Sequence, residues 1–329
     1  MNWSGTRVLV TGAGGFIGST LAEELLRLGA RVRAFVRYNS RGDTGLLSTI
    51  DPELATSMEI VAGDLRDPAA VAGAMRDVAV VFHLGALIAI PYSYVHPREV
   101  IETNVLGTVN VLEAARITKP SRVIHTSTSE VYGTALYAPI DEKHPLQGQS
   151  PYSASKIGAD KAAESYYRSF GVPVVTVRPF NTYGPRQSAR AVIPTIITQA
   201  LSLPQITLGA LRPTRDLTYV TDTVAGFIAA ATSDAALGRE INLGTNNEIS
   251  VADLAKKILG IIGRSLPVVS SDDRKRPEKS EVERLRSDNA LALELLRWSP
   301  KVSLDEGLTQ TIRWIEQNLG RYRVGTYQV

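Results

Sequence analysis

Three glycines in one short segment constrain this chain most. Gly12, Gly15 and Gly18 follow directly on the apolar run 8–10. The run predicts a buried strand, and the residues after Gly15 predict an amphipathic helix that ends at Gly29. Such a turn uses one glycine to bend, one to let a ligand approach the backbone, and one to let the helix lie close to the strand. The amides and dipole of the helix N-terminus suit phosphates, so the pattern predicts a dinucleotide site.

The first half of the chain alternates between short apolar strands and helices. Strands are predicted over 7–10, 31–36, 58–61, 78–84, 122–126 and 174–177, and helices over 15–28, 97–117 and 151–170. Apolar strands separated by helices predict an α/β fold, a doubly wound parallel sheet of the Rossmann type with helices on both faces. We therefore predict a dinucleotide-binding domain over residues 1–178.

The alternation breaks down after residue 178, where turn-rich stretches appear. Helices are predicted to begin after Ser250, after Ser287 or Asp288, and after Ser303, which forms a capping box with Glu306. These features predict a smaller α+β substrate-binding lobe over 179–329, with segments near 216–246 that return to the sheet.

Composition excludes several classes of protein. The chain has 329 residues, of which 44% are hydrophobic and 21% charged, and no cysteine, so disulfides and zinc–thiolate sites are excluded. Four scattered histidines (His83, His96, His125, His144) show no ligand spacing, so no metal is expected. The net charge of +3 does not call for nucleic acid. No signal peptide or membrane-spanning run is evident, and a cytoplasmic protein is expected.

The end of the second predicted strand bears on the choice of nicotinamide cofactor. NAD sites carry an acidic residue there for the ribose 2′-hydroxyl, but this chain has Arg37, followed by Ser40 and Arg41. A guanidinium suits a 2′-phosphate, which favours NADP over NAD. The alternative is that Arg37 is a surface charge and that Asn39 or Ser40 contacts an unphosphorylated ribose. Asp64, after the third strand, is expected to contact the adenine.

A second motif supplies proton-transfer chemistry. Tyr152 and Lys156 lie one helical turn apart and share a helix face. A nearby ammonium favours tyrosinate, so a phenol with a usual pKa of ~10 becomes a usable base. The preceding strand end supplies a hydroxyl and a carboxylate, Thr128 and Glu130.

Together these motifs resemble the extended short-chain dehydrogenase/reductases, the epimerases and dehydratases that act on nucleotide sugars. The resemblance covers nearly the whole chain and rests on the glycine-rich start, on Asn104, on the Tyr152–Lys156 pair, and on segments 82–86, 178–186, 215–222 and 276–277. It implies a tightly bound NAD or NADP and these cofactor contacts: Gly12, Gly15, Phe16, Ile17, Gly18, Arg37, Ser40, Arg41, Asp64, Leu65, Leu84, Ala86, Asn104, Tyr152 and Lys156.

The resemblance also implies the roles around the substrate. Thr128 hydrogen-bonds the sugar 4-hydroxyl, Tyr152 removes its proton, and Lys156 binds the nicotinamide ribose and tunes Tyr152. The nucleotide diphosphate is expected to be held by Asn181, Arg186, Arg215 and Arg276. In relatives the helices at 97–117 and 151–170 form a dimeric four-helix bundle, and their small residues here imply a homodimer.

Glu130 separates the possible reactions. A carboxylate there removes the C5 proton of a 4-keto sugar and lets the 6-hydroxyl leave as water, which gives a 4,6-dehydratase. The triplet Thr128–Ser129–Glu130 resembles the GDP-mannose dehydratases, whereas dTDP-glucose dehydratases carry Asp at the middle position. Ser129 or a water then assists the proton transfer. The alternative is that Glu130 merely caps a backbone amide.

Two related activities and one unrelated function stay open. UDP-glucuronate decarboxylases carry the same triplet, and a 4-epimerase uses the same scaffold. The stretch 178–199 is most similar to bacterial 4,6-dehydratases of UDP- or GDP-linked N-acetylglucosamine. A catalytically silent, cofactor-sensing or RNA-binding relative is disfavoured, because the chain retains Thr128, Tyr152 and Lys156. The remaining candidates are expected to be structural, namely His83, His125, Trp298 and Trp314.

Overall fold

The computed structural model describes residues 2–326. In this range a parallel sheet runs in the order β11-β6-β5-β4-β1-β2-β3, which confirms the doubly wound fold. The strands are β1 (Arg7–Thr11), β2 (Arg31–Arg37), β3 (Glu59–Gly63), β4 (Val80–His83), β5 (Arg122–Thr126), β6 (Val174–Pro179), β7 (Asn181–Tyr183), β8 (Ile206–Leu208), β9 (Thr214–Arg215), β10 (Leu217–Tyr219), β11 (Glu240–Leu243), β12 (Ile249–Ser250) and β13 (Val268–Ser270). Outside the main sheet, β7 pairs with β10, β9 with β12, and β8 with β13.

Helices cover both faces of the sheet. They are α1 (Phe16–Arg27), α2 (Pro52–Ala55), α3 (Pro68–Ala74), α4 (Ile90–Val95), α5 (Pro97–Ile101), α6 (Gly107–Thr118), α7 (Pro151–Phe170), α8 (Val192–Ser202), α9 (Val220–Thr232), α10 (Val251–Ile262), α11 (Ala290–Leu296) and α12 (Leu304–Gln317). None of the helices in residues 2–326 combines the length and the apolar character that crossing a bilayer requires.

Side-chain alternation along each strand divides the core into two layers. In β1, Val8 and Val10 face the layer that contains Leu21 of α1 and Phe227 of α9. Leu9 faces the opposite layer, formed mainly with α3, α6 and α7. Successive strand residues point to opposite faces, so a strand buried on both sides has to be apolar throughout.

The helix expected over 97–117 is interrupted. A π-helical turn over Glu102–Leu106 joins α5 to α6. The turn places Asn104 inside the protein, where its side-chain amide bonds the Leu87 N–H (2.7 Å), the Leu87 carbonyl (2.9 Å) and the Ser155 hydroxyl (2.9 Å). The irregular turn therefore ties the loop after β4 to α7.

Helix starts in the second half follow their caps. Ser250 accepts from the amide of Asp253, and Ser303 from that of Glu306, as predicted. Helix α11 begins at Ala290, whose amide donates to Asp288 Oδ1 at 2.9 Å, while the Ser287 hydroxyl donates to buried Asp216.

The C-terminal half also completes the main sheet. Strand β11 pairs in parallel with β6, with Ile241 opposite Val177. Helix α9 packs against β5, β6 and α1 on the same face. The seam between the halves thus runs inside the sheet.

Gly18 tests how closely α1 has to approach the turn. A Cβ at Gly18 collides with the Gly12 carbonyl oxygen and comes within 2.9 Å of the Gly12 carbonyl carbon, whereas a Cβ at Gly260 in α10 meets nothing within 4 Å. We expect Gly18→Ala to lower the free energy of unfolding by about 1–3 kcal/mol through steric strain. The matched Gly260→Ala should raise it by about 0.5–1 kcal/mol. Urea denaturation measures both, and equal responses would contradict the close approach.

Candidate active site

The glycine turn lies at the carboxyl end of β1, against the loop after β4. Gly12 has φ +69°, and a Cβ there would lie 2.8 Å from the Gly85 Cα. Gly15 begins α1, and no side chain among residues 2–326 caps that helix start. Phe16 and Ile17 form its first turn. The backbone amides at this helix start therefore have no side-chain cap among the described residues, which suits the phosphates of a dinucleotide.

Arg37 lies at the end of β2, as predicted, but it has a protein partner. Its Nη2 is 3.4 Å from Oε1 of Glu99, and its side chain is 64% exposed. Tyr92 donates to the other Glu99 oxygen at 2.5 Å. The Tyr92 hydrogen bond, with the charge of Arg37, lowers the pKa of Glu99. Asp64 pairs with Arg66 at 2.7 Å, and this hydrogen bond lowers the pKa of Asp64.

Ser40 and Arg41 lie in an exposed loop after β2. Asn39 shapes the loop, because its Oδ1 accepts from the amides of Arg41 (3.2 Å) and Asp43 (2.9 Å). Its amide nitrogen donates to the Asp43 carbonyl at 2.7 Å. Asn39 thus folds the loop, which leaves the neighbouring Ser40 and Arg41 as the groups that face solvent.

The middle of the predicted cofactor site is lined by backbone. Leu84 and Ala86 follow β4, and Asn104 holds the same loop through Leu87 rather than presenting a free amide. Leu65 is buried and packs where a Cβ on Gly85 would lie. The Leu65 carbonyl accepts from Asn110 at 2.8 Å, a contact that the sequence did not reveal.

Tyr152 and Lys156 lie in the first half of α7, and both are less than a tenth exposed. The Lys156 ammonium donates to the Thr126 carbonyl at 2.6 Å. The Thr128 hydroxyl lies close enough to the Tyr152 phenol to act on its pKa. Burial raises the pKa of Tyr152, and the Thr128 hydroxyl acts in the opposite direction. Burial also lowers the pKa of Lys156 to about 8, partly offset by the charge of Asp160.

Thr128, Ser129 and Glu130 form a tight turn at the end of β5. The Thr128 Oγ1 accepts from the Glu130 amide at 3.2 Å, and Ser129 is buried. Glu130 is 8% exposed, and its Oε2 lies 3.7 Å from Nη1 of Arg276. Its side chain thus faces a guanidinium, and it is Thr128 that caps the turn.

Two of the arginines expected to bind substrate lie together. Arg215 Nη2 is 3.3 Å from Oε1 of Glu281, and Arg276 Nη1 is 3.8 Å from the same oxygen. Burial lowers the pKa of Arg215. Sequence reasoning missed Glu281. Among the described residues, Asn181 Oδ1 is buried without a hydrogen-bond partner, so it is available to a ligand.

Arg186 lies elsewhere, which corrects its predicted place beside Arg215 and Arg276. Its Nη2 pairs with Glu23 of α1 at 2.6 Å and donates to the Thr49 carbonyl at 3.2 Å. The guanidinium is therefore used to join the C-terminal half to the first helix.

The histidines and tryptophans of the interior have protein partners. His83 lies between the hydroxyls of Thr11 (2.8 Å) and Thr108 (3.0 Å), and burial holds its pKa well below its usual range. Trp298 donates to the Asp222 carbonyl at 2.8 Å, and Trp314 packs against the core. Residues 2–326 contain no group of three or more acidic or histidine side chains placed to hold a metal.

A separate cleft of about 610 Å³ lies at the opposite, amino edge of the sheet. It is lined by Arg7, Arg31, Arg33, Leu54 and Glu59 among others. None of the predicted site residues lines it.

Comparisons with known proteins agree with this geometry. Residues 9–311 match the profile of the family described as GDP-mannose 4,6 dehydratase. The chain is 34% identical to a UDP-glucose 4-epimerase of Mycolicibacterium smegmatis over 94% of this chain and 98% of that protein. It is 32% identical to a dTDP-glucose 4,6-dehydratase of Streptomyces antibioticus, over 94% and 92%.

A solved structure shows the same similarity in three dimensions. The UDP-glucuronic acid 4-epimerase of Bacillus cereus, in complex with UDP-glucuronic acid and NAD, superposes with a TM-score of 0.87 at 29% identity. The match covers 95% of this chain and all of that one. The chain therefore belongs to the GDP-mannose 4,6-dehydratase family, within the extended short-chain dehydrogenase/reductases that act on nucleotide sugars.

Proposed function

We propose that the protein is a nucleotide-sugar 4,6-dehydratase, a lyase that acts on a UDP- or GDP-linked N-acetylglucosamine. The observation that supports this most is the position of Glu130. Its carboxylate is nearly buried, follows the Thr128 turn, and acts electrostatically on both Tyr152 and Arg215. A carboxylate beside the tyrosine is what elimination of water requires and what 4-epimerisation does not use. A cytoplasmic location stays a prediction of the sequence.

The turn and its neighbours suit a nicotinamide dinucleotide. The uncapped start of α1 and the bare turn at Gly12 would hold the pyrophosphate, and Lys156 the nicotinamide ribose. The nicotinamide, when bound, supplies the acceptor and later the donor of the hydride that leaves C4 and returns to C6.

In the first step the C4 hydroxyl loses its proton to Tyr152. The Thr128 hydroxyl lies near the same phenol and is therefore placed to orient the substrate hydroxyl. A buried ammonium one helical turn away favours tyrosinate. It acts against burial and the charges of Glu130 and Asp160, which raise the pKa of Tyr152. Oxidation at C4 makes the C5 hydrogen acidic.

In the second step Glu130 removes the C5 proton. The C6–O bond breaks, a C5–C6 double bond forms, and the proton passes from the Glu130 carboxyl to the departing hydroxyl, so water leaves. Ser129 is buried beside Glu130 and assists this transfer, directly or through a water. Hydride added at C6 and a proton added at C5 then complete a 4-keto-6-deoxy sugar. Glu130 takes the C5 proton from solvent, and Tyr152 releases to solvent the proton that it removed from the C4 hydroxyl, so the protons balance.

The nucleotide diphosphate belongs at the arginine end of the site. Arg215 and Arg276 supply forked donors, and Asn181 lies on β7 with an unpartnered buried oxygen within the described residues. Glu281 holds both guanidiniums in place before the diphosphate binds.

Two other reactions on the same scaffold are alternatives to dehydration. The similarity to a UDP-glucose 4-epimerase favours 4-epimerisation, and the Thr–Ser–Glu triplet is shared with decarboxylases. Product mass separates them, since dehydration loses water, decarboxylation loses carbon dioxide and epimerisation leaves the mass unchanged. A non-catalytic role is disfavoured because Thr128, Tyr152 and Lys156 lie together at one site.

The order of the two steps is tested by comparing Glu130→Gln with Tyr152→Phe. Glu130→Gln should still reduce the bound cofactor on mixing with UDP- or GDP-N-acetylglucosamine, but lose water at least ~100-fold more slowly because it removes the C5 base. Tyr152→Phe should bind cofactor and reduce it ~100-fold more slowly. Cofactor absorbance and product mass spectrometry measure the two steps. The exposed Glu283→Gln is the control. Wild-type dehydration by Glu130→Gln would rule out its role as the base.

For the cofactor we propose NADP, on the charge of Arg37 and the exposed Arg41. Glu99 neutralises part of the Arg37 charge, so NAD should bind as well. Arg37→Ala should weaken NADP binding by ~10-fold and leave the Kd for NAD within about twofold, because a phosphate–arginine contact is lost only in NADP. Calorimetric titration of the cofactor-free protein measures both constants. Equal weakening of the two, or a wild-type preference for NAD, would overturn the proposal.

We also propose a homodimer through α5, α6 and α7. Ile101 and Leu106 are exposed apolar residues on this surface, beside exposed Ala154 and partly buried Gly158 of α7. Such a patch favours association. Light scattering should give twice the mass of one chain, and Leu106→Glu should shift it towards one. Leu293→Glu, an equally exposed change on α11, is the control. A monomeric wild type at micromolar concentration would contradict the dimer.

A further inference from the structure

A buried carboxylate lies directly behind the Tyr152–Lys156 pair. Asp160 is one helical turn after Lys156 in α7 and is 2% exposed. Its Oδ1 is 3.0 Å from His125 Nε2, and its Oδ2 accepts from the Ser127 hydroxyl at 2.7 Å and from Arg178 Nη2 at 3.1 Å. The lone pairs of Asp160 are thus used by donors from β5, β6 and the segment just after β5.

Arg178 anchors this carboxylate from the neighbouring strand. Its Nη1 donates to the Tyr132 hydroxyl at 3.1 Å, and its guanidinium lies 5.3 Å from the centre of the Tyr132 ring. Tyr132 in turn donates to Asn242 of β11 at 2.7 Å. The Asp160–Arg178 ion pair is therefore held by contacts with three adjacent strands, β5, β6 and β11, which fixes the position of the Asp160 carboxylate.

The titratable and charged groups around Lys156 come from four elements. His83 of β4 and His125 of β5 lie nearby, and burial lowers the pKa of both, so they are neutral. Tyr152 precedes Lys156 on the same helix, and Arg178 of β6 acts on Asp160. Asp160 is the group that favours the charged form of Lys156, against the burial that lowers its pKa to about 8.

We propose that Asp160 is a positioning residue of the Tyr152–Lys156 couple. Its carboxylate, anchored by Arg178 and His125, keeps the Lys156 ammonium charged and directed at the Thr126 carbonyl. Asp160 does not touch the substrate, so it acts through Lys156. The inference rests on the proposed roles of Tyr152 and Lys156, but it is the same whether the product is dehydrated, epimerised or decarboxylated.

A purely architectural carboxylate has a different signature. If Asp160 only tied β5 to α7, any loss of its contacts would lower the rate equally at every pH. If it supports the charge of Lys156, its removal lowers the pKa of Lys156 further. The Lys156 ammonium then deprotonates at lower pH, so the rate falls on the alkaline side of the pH profile and not on the acid side.

The test is the pH profile of cofactor reduction by a nucleotide sugar in single turnover. Asp160→Asn should move the alkaline limb of the profile to lower pH and reduce the rate there by ~10-fold, part of what a positioned proton-transfer group contributes. Ser127→Ala keeps the carboxylate, its charge and its anchors His125 and Arg178, and it should leave the limb in place. Circular dichroism and cofactor titration show whether each variant is folded.

Asp160→Asn leaves Arg178 unpaired in the interior, which destabilises the fold. The double variant Asp160→Asn/Arg178→Gln removes both charges of the pair, and its limb should still lie below that of the wild type, since Asp160 is the charge of the pair that acts on Lys156. A rate lowered uniformly with the limb unmoved, in either variant, would overturn the inference. Cofactor reduction precedes water loss and is also the first step of 4-epimerisation. The pH profile therefore tests the role of Asp160 even if the enzyme proves to be an epimerase. The mass of the product tests the dehydratase proposal separately.

Discussion

The bond from the Lys156 ammonium to the Thr126 carbonyl joins the first half of α7 to the end of β5. The rest of the candidate site is placed relative to this contact. Thr128 begins its turn just beyond the end of the strand, and Tyr152 lies one helical turn before Lys156. Because a strand end and a long helix are both rigid, the hydroxyl and the phenol meet with little freedom. The packing of β5 against α7 therefore fixes the relative positions of Thr128 and Tyr152.

Local signals explain which parts of the fold could be read from the sequence. Helix α7, predicted over 151–170, carries such signals, since Ser150 caps it, Pro151 suits its first turn and Gly171 ends it in the left-handed region. Helices α8 and α9 were missed, since they begin after Ala191 and Tyr219, which cannot cap a helix start. The π-helical turn at Asn104 had no sequence signal, because it depends on contacts with Leu87 and Ser155.

The candidate site divides in the same way. Tyr152 and Lys156 could be proposed as a pair from their spacing on one helix, taken with the strand end and the glycine turn that precede them. Partners that come from distant segments could not. Glu23 holds Arg186, and Glu99 holds Arg37, although long stretches of chain separate each pair. The sequence shows that an arginine can bind an anion, but only the folded structure shows which carboxylate of the protein pairs with it.

The position of β11 inside the main sheet affects how the chain can be made. While the ribosome has produced only the first half, β6 is an edge strand with unpaired backbone groups. The apolar layer that α9 covers in the folded protein is also exposed at that stage. Closure requires pairing between segments some sixty positions apart, which slows folding. The nascent chain is therefore expected to need protection from aggregation until residue 243 has emerged, and its two halves to acquire stability together rather than in succession.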